Sequence, residues 1–304
     1  MRGFYKTECH LLHYICNHGD FYQLRGNSTF LYKQNSNVYF IQFLKMENLY
    51  NTNKNTYILH GNTHKTTHEY MLYIYSRKNM SNEGPKLYYI TVATRPHRVL
   101  NKIIEQVQKQ NEQIIVLGLQ ENRAIGWEGT ANFGVKLRET RDFLFQPQIR
   151  PQDIVLFTDA YDVVYCGSQN EIEKRFLEMN KPIVFGCESN CHPDAKVAQH
   201  YTNRHLEFPF LNSGMFIGYA WALRHCLTGY EYNDSHDDQR YWTQQYFKHS
   251  GLFGLDYENR LFLNTEDMEW DKLVWKNQTA IYKNRNPMFV HVNGPDKTKI
   301  NYFA

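Results

Sequence analysis

The stretch "DIVLFTDAYDVVY", Asp153 to Tyr165, decides how this chain is read. A short continuous apolar run bounded by polar residues is the pattern of a strand buried on both faces, as in a parallel sheet covered by helices. The run stops at two aspartates three positions apart, Asp159 and Asp162. In open α/β sheets ligands bind beyond the carboxyl ends of the strands, so the residues that follow a strand are where function is sought. A carboxylate pair there suits a hard divalent cation such as Mg or Mn, which prefers oxygen ligands and is often held by one or two carboxylates together with substrate phosphates. Asp is equally at home as a cap or turn residue, and from the pair alone both readings stand.

Working outward, apolar strand-like runs alternate with helical patterns from Lys86 onward, which predicts an α/β fold with a Rossmann-like, mostly parallel sheet flanked by helices. The strand candidates are "KLYYITVAT", "EQIIVLGL", "DIVLFT", "KPIVFGC", "GMFIGYA" and "PMFVHV". Helices are expected from His97, Gly134, Ser168 and Asp237; in the third, Ile172, Phe176 and Leu177 make the apolar side. The last strand candidate ends at His291 and runs into Asn293, Gly294, Pro295 and Lys297. An imidazole at a second strand end could complete a coordination shell, Gly294 would let backbone approach an anion, and Lys297 would neutralise phosphate. Taken alone, a histidine before a Gly-Pro turn is more often a structural feature. No G-x-G-x-x-G and no G-x-x-x-x-G-K-[ST] follows the first strand, where "TVATRPHR" stands instead. The usual dinucleotide and P-loop readings are thereby removed, leaving a nucleotide fold that holds its diphosphate with a metal.

Composition sets the outer bounds. With 304 residues, 42% hydrophobic and 21% charged, the chain has material for one large domain and a smaller companion. The turn-rich "NMSNEGPK", Asn79 to Lys86, reads as the boundary, so residues 1–85 form an accessory segment of unreadable role and residues 86–304 the main domain. Thirty-four basic against 31 acidic side chains, net +3, leave no footprint for nucleic acid. No run approaches the roughly 20 apolar residues of a membrane span, and the N-terminus reads as neither signal peptide nor anchor. Six cysteines are too sparse for a disulfide framework, and "CESNCH", Cys187 to His192, lacks the second ligand pair of a zinc site.

From about Leu87 to Tyr302 the chain resembles the N-terminal glycosyltransferase domain of the multifunctional procollagen lysyl hydroxylases, a GT-A fold that uses manganese and a nucleotide sugar. The segments that carry the resemblance are "YYITVAT", "VLGL" followed by "GW", "GVK", "LFTDAYDVVY", "LNSGMFIGYA", "DDQ" and "HVNGPDKTKINY", in that order. Residues 1–85 lie outside it. The resemblance implies that Asp159, Asp162 and His291 ligate Mn, and that the ion bridges the phosphates of a UDP-sugar and stabilises the departing UDP. It implies that Thr91, Val92 and Tyr161 hold uracil and ribose, that Asn293, Gly294 and Lys297 lie against the diphosphate, and that Trp127 and Lys136 stand around the donor. Asp237 and Asp238 match an acidic cluster facing sugar and acceptor, where they would equally serve as a helix N-terminus. Asn212 falls in the sugar pocket, where the family more often has Gly.

The activity so implied is a retaining transfer of glucose from UDP-glucose to galactosyl-hydroxylysine of a collagen-like acceptor, in α-1,2 linkage. The alternatives are galactosyl transfer to hydroxylysine, which inverts the donor and needs a base on the acceptor hydroxyl, and a non-catalytic homologue that binds UDP or collagen. A homo-oligomer is left open. The family works in the secretory pathway, whereas the N-terminus and the Asn, Lys and Tyr richness of this chain lead us to expect a cytoplasmic setting, viral or microbial.

Overall fold

The computed structural model describes residues 84–126 and 132–303 in full, and of the N-terminal part the backbone of four strands. The chain divides into two compact units, Met1–Gly84 and Pro85–Ala304. In the first, β1 (Asp20–Gln23), β2 (Thr29–Gln34), β3 (Asn37–Met46) and β4 (Glu69–Ser76) form an antiparallel sheet in sequential order, with Phe30 opposite Ile41 and Ile41 opposite Ile74.

The second unit is built on β5 (Leu87–Val92), β6 (Ile115–Leu117), β7 (Ile154–Asp159), β9 (Ile183–Glu188), β10 (Phe210–Tyr219) and β11 (Phe253–Leu255), with β8 (Val163–Tyr165) leaving the sheet after β7. The order is β11-β9-β10-β7-β5-β6. The pairs β11–β9, β7–β5 and β5–β6 are parallel, while β10 runs antiparallel to both neighbours. The central sheet is thus mainly parallel, with one reversed strand.

Helices cover both faces. On one side α1 (Arg98–Lys109) and α3 (Gln169–Met179) bring Val99, Ile103, Val107, Ile172 and Phe176 onto Tyr89, Leu156 and Val184. Each helix starts where its sequence can satisfy free amides: His97 accepts from Val99 N and Ser168 from Glu171 N. Leu177, expected on the buried side of α3, is exposed; a helix turns about 100° per residue, which carries it past the stripe that Ile172 and Phe176 bury. On the other face lie α2 (Gly134–Leu144), α4 (Ala220–Leu227) and α5 (Asp238–Lys248). Here Phe157, Phe185, Phe216 and Trp242 stack at ring distances between 4.8 and 5.3 Å.

One strand candidate does not join the central sheet. The segment "PMFVHV" forms β15 (Phe289–His291), which pairs in parallel with β12 (Phe262–Asn264) and antiparallel with β8. The backbone amides of both Met288 and Phe289 donate to Leu261 O, so this segment is captured by the small sheet. The remaining hairpin, β13 (Leu273–Lys276) with β14 (Thr279–Tyr282), stands apart from both sheets.

Candidate active site

The small sheet explains why two strand ends meet. β8 begins directly after Asp162, and its register sets His291 opposite Val163. Val292 N donates to Asp162 O at 2.8 Å, which closes the turn that carries both aspartates against the end of β15. As a result, ligand atoms of Asp159, Asp162 and His291 all lie within 4.8 Å of one another. His291 Nε2 is 3.3 Å from Asp162 Oδ2 and 3.8 Å from Asp159 Oδ2.

The protonation of His291 follows from its neighbour. Asn264 on β12 donates through Nδ2 to Cys187 O at 2.8 Å, which fixes its amide so that Oδ1 faces His291 Nδ1 at 2.7 Å. A carbonyl oxygen there requires Nδ1 to carry a proton, which leaves Nε2 facing the carboxylates, a donor to them when the imidazole is protonated and a lone pair for a cation when it is neutral. An imidazole nitrogen and two carboxylates are a donor set for Mn, Mg or Zn, and one face remains for other ligands. The residues therefore fit a divalent cation. Two lysines balance the carboxylates in the fold: Lys297 Nζ is 2.6 Å from Asp162 Oδ2, and Lys136 Nζ is 2.7 Å from Asp159 Oδ1. Burial opposes charge on Asp162, but His291 and Lys297 outweigh it and hold its carboxyl well below the usual range. Burial likewise opposes the Lys136 ammonium, and Asp159 and Asp238 reverse the effect and hold it above its ordinary value.

These groups open on a cavity of about 710 Å³, within the range of small-ligand sites. Of the residues expected around a donor, Val92, Lys136, Tyr161, Asn212, Asn293, Gly294 and Lys297 line it. Val92 stands beside Asp159 in the parallel register of β5 and β7. The Tyr161 hydroxyl accepts from Thr94 N at 2.7 Å and Arg95 N at 3.1 Å, so its ring walls the cavity while its oxygen anchors the loop after β5. Gly294 has φ of 78°, a conformation that favours glycine, and Glu266 packs where a side chain would stand.

Thr91 departs from expectation: it is fully buried and its hydroxyl donates to Thr158 O at 2.7 Å, because alternate strand residues face opposite ways and Val92 takes the cavity side. Asp237 does not line the cavity either. It caps α5 by accepting from Arg240 N at 2.9 Å, while Asp238 turns inward and accepts from Ser213 Oγ at 2.9 Å. Trp127 lies outside the described residues.

Sequence reasoning missed Glu188, the last residue of β9. Its carboxylate lies in the cavity wall and accepts from Gln239 Nε2 at 2.7 Å, Asn293 Nδ2 at 2.9 Å and Asn212 Nδ2 at 3.0 Å. Burial pushes its pKa up to about 8 against the pull of those amides. The strand-end rule that singled out Asp159 applies to Glu188 equally, since it directly follows the strand candidate "KPIVFGC". In "CESNCH", Cys187 is buried in β9 and Cys191 donates to Asp194 O; neither belongs to the ligand cluster.

No helix among the described residues is long and apolar enough to cross a membrane. The profile of the family described as "PLOD GT domain" matches residues 83–304. The multifunctional procollagen lysine hydroxylase and glycosyltransferase LH3 of Rattus norvegicus is 32% identical over 231 residues, covering 72% of this chain and 31% of the relative. The LH3 protein of Homo sapiens is 32% identical over 235 residues, with the same coverage. The multifunctional procollagen lysine hydroxylase and glycosyltransferase of Caenorhabditis elegans is 31% identical over 238 residues, covering 72% of this chain and 32% of the relative. The chain thus spans about a third of the length of these relatives. On the extent of the profile match and this degree of identity, the chain belongs to the PLOD GT domain family and is a glycosyltransferase domain.

Proposed function

We propose that the chain transfers glucose from UDP-glucose, with Mn as cofactor, to galactosyl-hydroxylysine of a collagen-like acceptor in α-1,2 linkage with retention. The observation that carries the donor half is the convergence of Asp159, Asp162 and His291 on one wall of a cavity whose next residues, Asn293, Gly294 and Lys297, suit a diphosphate. Bound there, a divalent ion would neutralise the diphosphate and act as Lewis acid for the leaving UDP. Lys297 adds a point charge within reach of the same phosphates, and the positive φ of Gly294 shapes the turn that presents it. Val92 and the Tyr161 ring wall the side where the nucleoside would lie. Asn212, Gln239, Glu188 and Asp238 present polar groups to the sugar end.

Retention is what the family resemblance implies; inversion would need a base on the acceptor hydroxyl, and of the acidic pair only Asp238 lines the cavity, with Oδ2 held by Ser213 and Lys136. The collagen-like acceptor follows from the names of the relatives. The test is turnover of UDP-glucose against UDP-galactose on a galactosyl-hydroxylysine peptide, with and without Mn, and assignment of the product linkage by NMR. A β-linked galactosyl-hydroxylysine product sinks the glucosyl reading. Turnover indifferent to Mn and to Asp159→Ala sinks the enzymatic one.

A further inference from the structure

Lys136 touches two carboxylates that belong to different parts of the site. Its Nζ lies 2.7 Å from Asp159 Oδ1 on β7 and 3.3 Å from Asp238 Oδ2 on α5. The side chain is 12% exposed, and the Phe133 ring covers the ammonium at 4.8 Å from its centroid. Asp159 divides its oxygens: Oδ1 faces Lys136, while Oδ2 faces His291 and the ligand cluster. The backbones that present the three groups are fixed. Gly134, two residues before Lys136, packs so closely on Asn233 that a Cβ would fall 1.9 Å from its carbonyl oxygen. Asp238 opens α5 directly after the Asp237 cap, and Asp159 ends a central strand. Only the flexible lysine stem is left to redistribute the ammonium between its two partners.

We infer that Lys136 is a positioning residue shared between the metal ligand Asp159 and the cavity-facing Asp238, so that Asp238 sets metal affinity through Lys136 from outside the ligand cluster. A cation in the cluster competes with the ammonium for the charge of Asp159. Asp238 offers the ammonium a second anion, and so lowers the cost of loosening Lys136 from Asp159. When Asp238 loses its charge, the ammonium settles on Asp159 and metal binding weakens. When Lys136 loses its charge, metal binding tightens and Asp238 no longer matters. By reciprocity, metal in the cluster strengthens the Lys136–Asp238 contact.

The inference rests on the metal reading of the cluster, and a double-mutant cycle on Mn affinity separates the two. Free Mn is titrated by electron paramagnetic resonance against the full chain, without donor or acceptor, for wild type, Asp238→Asn, Lys136→Met and the double variant. Asp238→Asn is expected to bind Mn about threefold more weakly and Lys136→Met about fivefold more tightly, with the double variant matching Lys136→Met. Lys136→Arg, which keeps the charge, is expected to restore near wild-type affinity. Lys136→Gln, which keeps polar contact with both carboxylates, repeats the cycle should the Met variant fold poorly. An Asp238→Asn effect of equal size with and without Lys136, or weaker Mn binding in both Lys136→Met and Lys136→Gln, overturns the inference while leaving the metal site intact. A wild-type chain with no Mn affinity for Asp162→Ala to remove overturns the metal reading and this inference together.

Discussion

Gly214 lies in β10 within the span where its pairing to β9 shifts register, between Asn212 and Phe216. A Cβ built there would stand 2.4 Å from His291 Cε1, 2.8 Å from His291 Nδ1 and 3.0 Å from Asn212 Oδ1. Carbon atoms in contact settle near 3.5–4.0 Å, so the imidazole would have to retreat by about 1 Å. The crowded Nδ1 is the atom that makes the 2.7 Å bond to Asn264, and the retreat either breaks that bond or swings Nε2 off the two carboxylates. Metal–ligand distances tolerate only about 0.2 Å, and lost support for a ligand typically costs 10- to 100-fold in affinity. Gly214→Ala should therefore bind Mn about 10- to 100-fold more weakly although no ligand is changed. Overpacking of this kind costs roughly 1–3 kcal/mol, which a domain of ordinary stability survives. The assay is Mn titration by calorimetry or electron paramagnetic resonance, with the thermal midpoint with and without Mn as a second readout. Gly251→Ala, where nothing lies within 4 Å of the added methyl, is the control. A folded Gly214→Ala that binds Mn within about twofold of wild type would refute the reasoning.

Asn264→Ala removes the acceptor that fixes His291 on its Nδ1–H tautomer; Mn affinity should fall by about 10-fold or more. NMR of the His291 ring nitrogens should then show the Nδ1–H signature lost, and an unchanged signature would count against the assignment. Glu188→Gln is isosteric and removes the charge that burial opposes, while turning an amide toward groups that donate, and its stability is read by urea titration across pH. The sign of its pH effect is separate: a folded pKa raised from 4.5 to about 8 gives a contribution fully present below 4.5 and lost as pH rises toward 8. The variant should lack that decline, and parallel stability profiles of wild type and variant across this window would exclude it.

How much of the fold and the site is legible in the sequence depends on whether a feature is local. β7 and its two aspartates are readable because a continuous apolar run ending in charge fits little besides a core strand that meets solvent at its tip. The α5 start is readable from "DD", but which aspartate caps and which enters the cavity is decided by where the first helical turn begins, and that is fixed by packing of Trp242 against Phe185 and Phe216. Thr91 is misplaced for want of one step: strand alternation gives Thr91 and Val92 opposite faces, and only the register against Asp159 says which is the cavity side. β15 is recognisable as a strand, yet its sheet is not, since three-residue strands such as β8 and β12 carry too little pattern to announce a partner. Asn264, which decides the His291 tautomer, sits in such a strand and has no local signature.

The location of the cluster accounts for how the fold tolerates it. Asp159 belongs to the central sheet and His291 to the small one, while the turn through Ala160 and Tyr161 joins them. Ala160 is buried, the Tyr161 hydroxyl is tied to the loop after β5, and Asp162 O is tied to Val292 N, so the turn is held on three sides before any ligand arrives. Two carboxylates held so close repel each other and lose hydration, which in an interior would ordinarily drive protonation or unfolding. Here each has its own lysine: Lys136 reaches Asp159 from a helix on one face, and Lys297 reaches Asp162 from the segment that follows β15. The same cations that stabilise the fold compete with any metal. Affinity in the cluster is then set by the difference between an ion's attraction and that of two resident ammonium groups. A donor diphosphate would shift this balance by supplying Lys297 with new anionic partners and freeing Asp162 for the ion. Metal and nucleotide are accordingly expected to bind with positive cooperativity, each tightening the other, even though the ligand geometry is in place before either is bound.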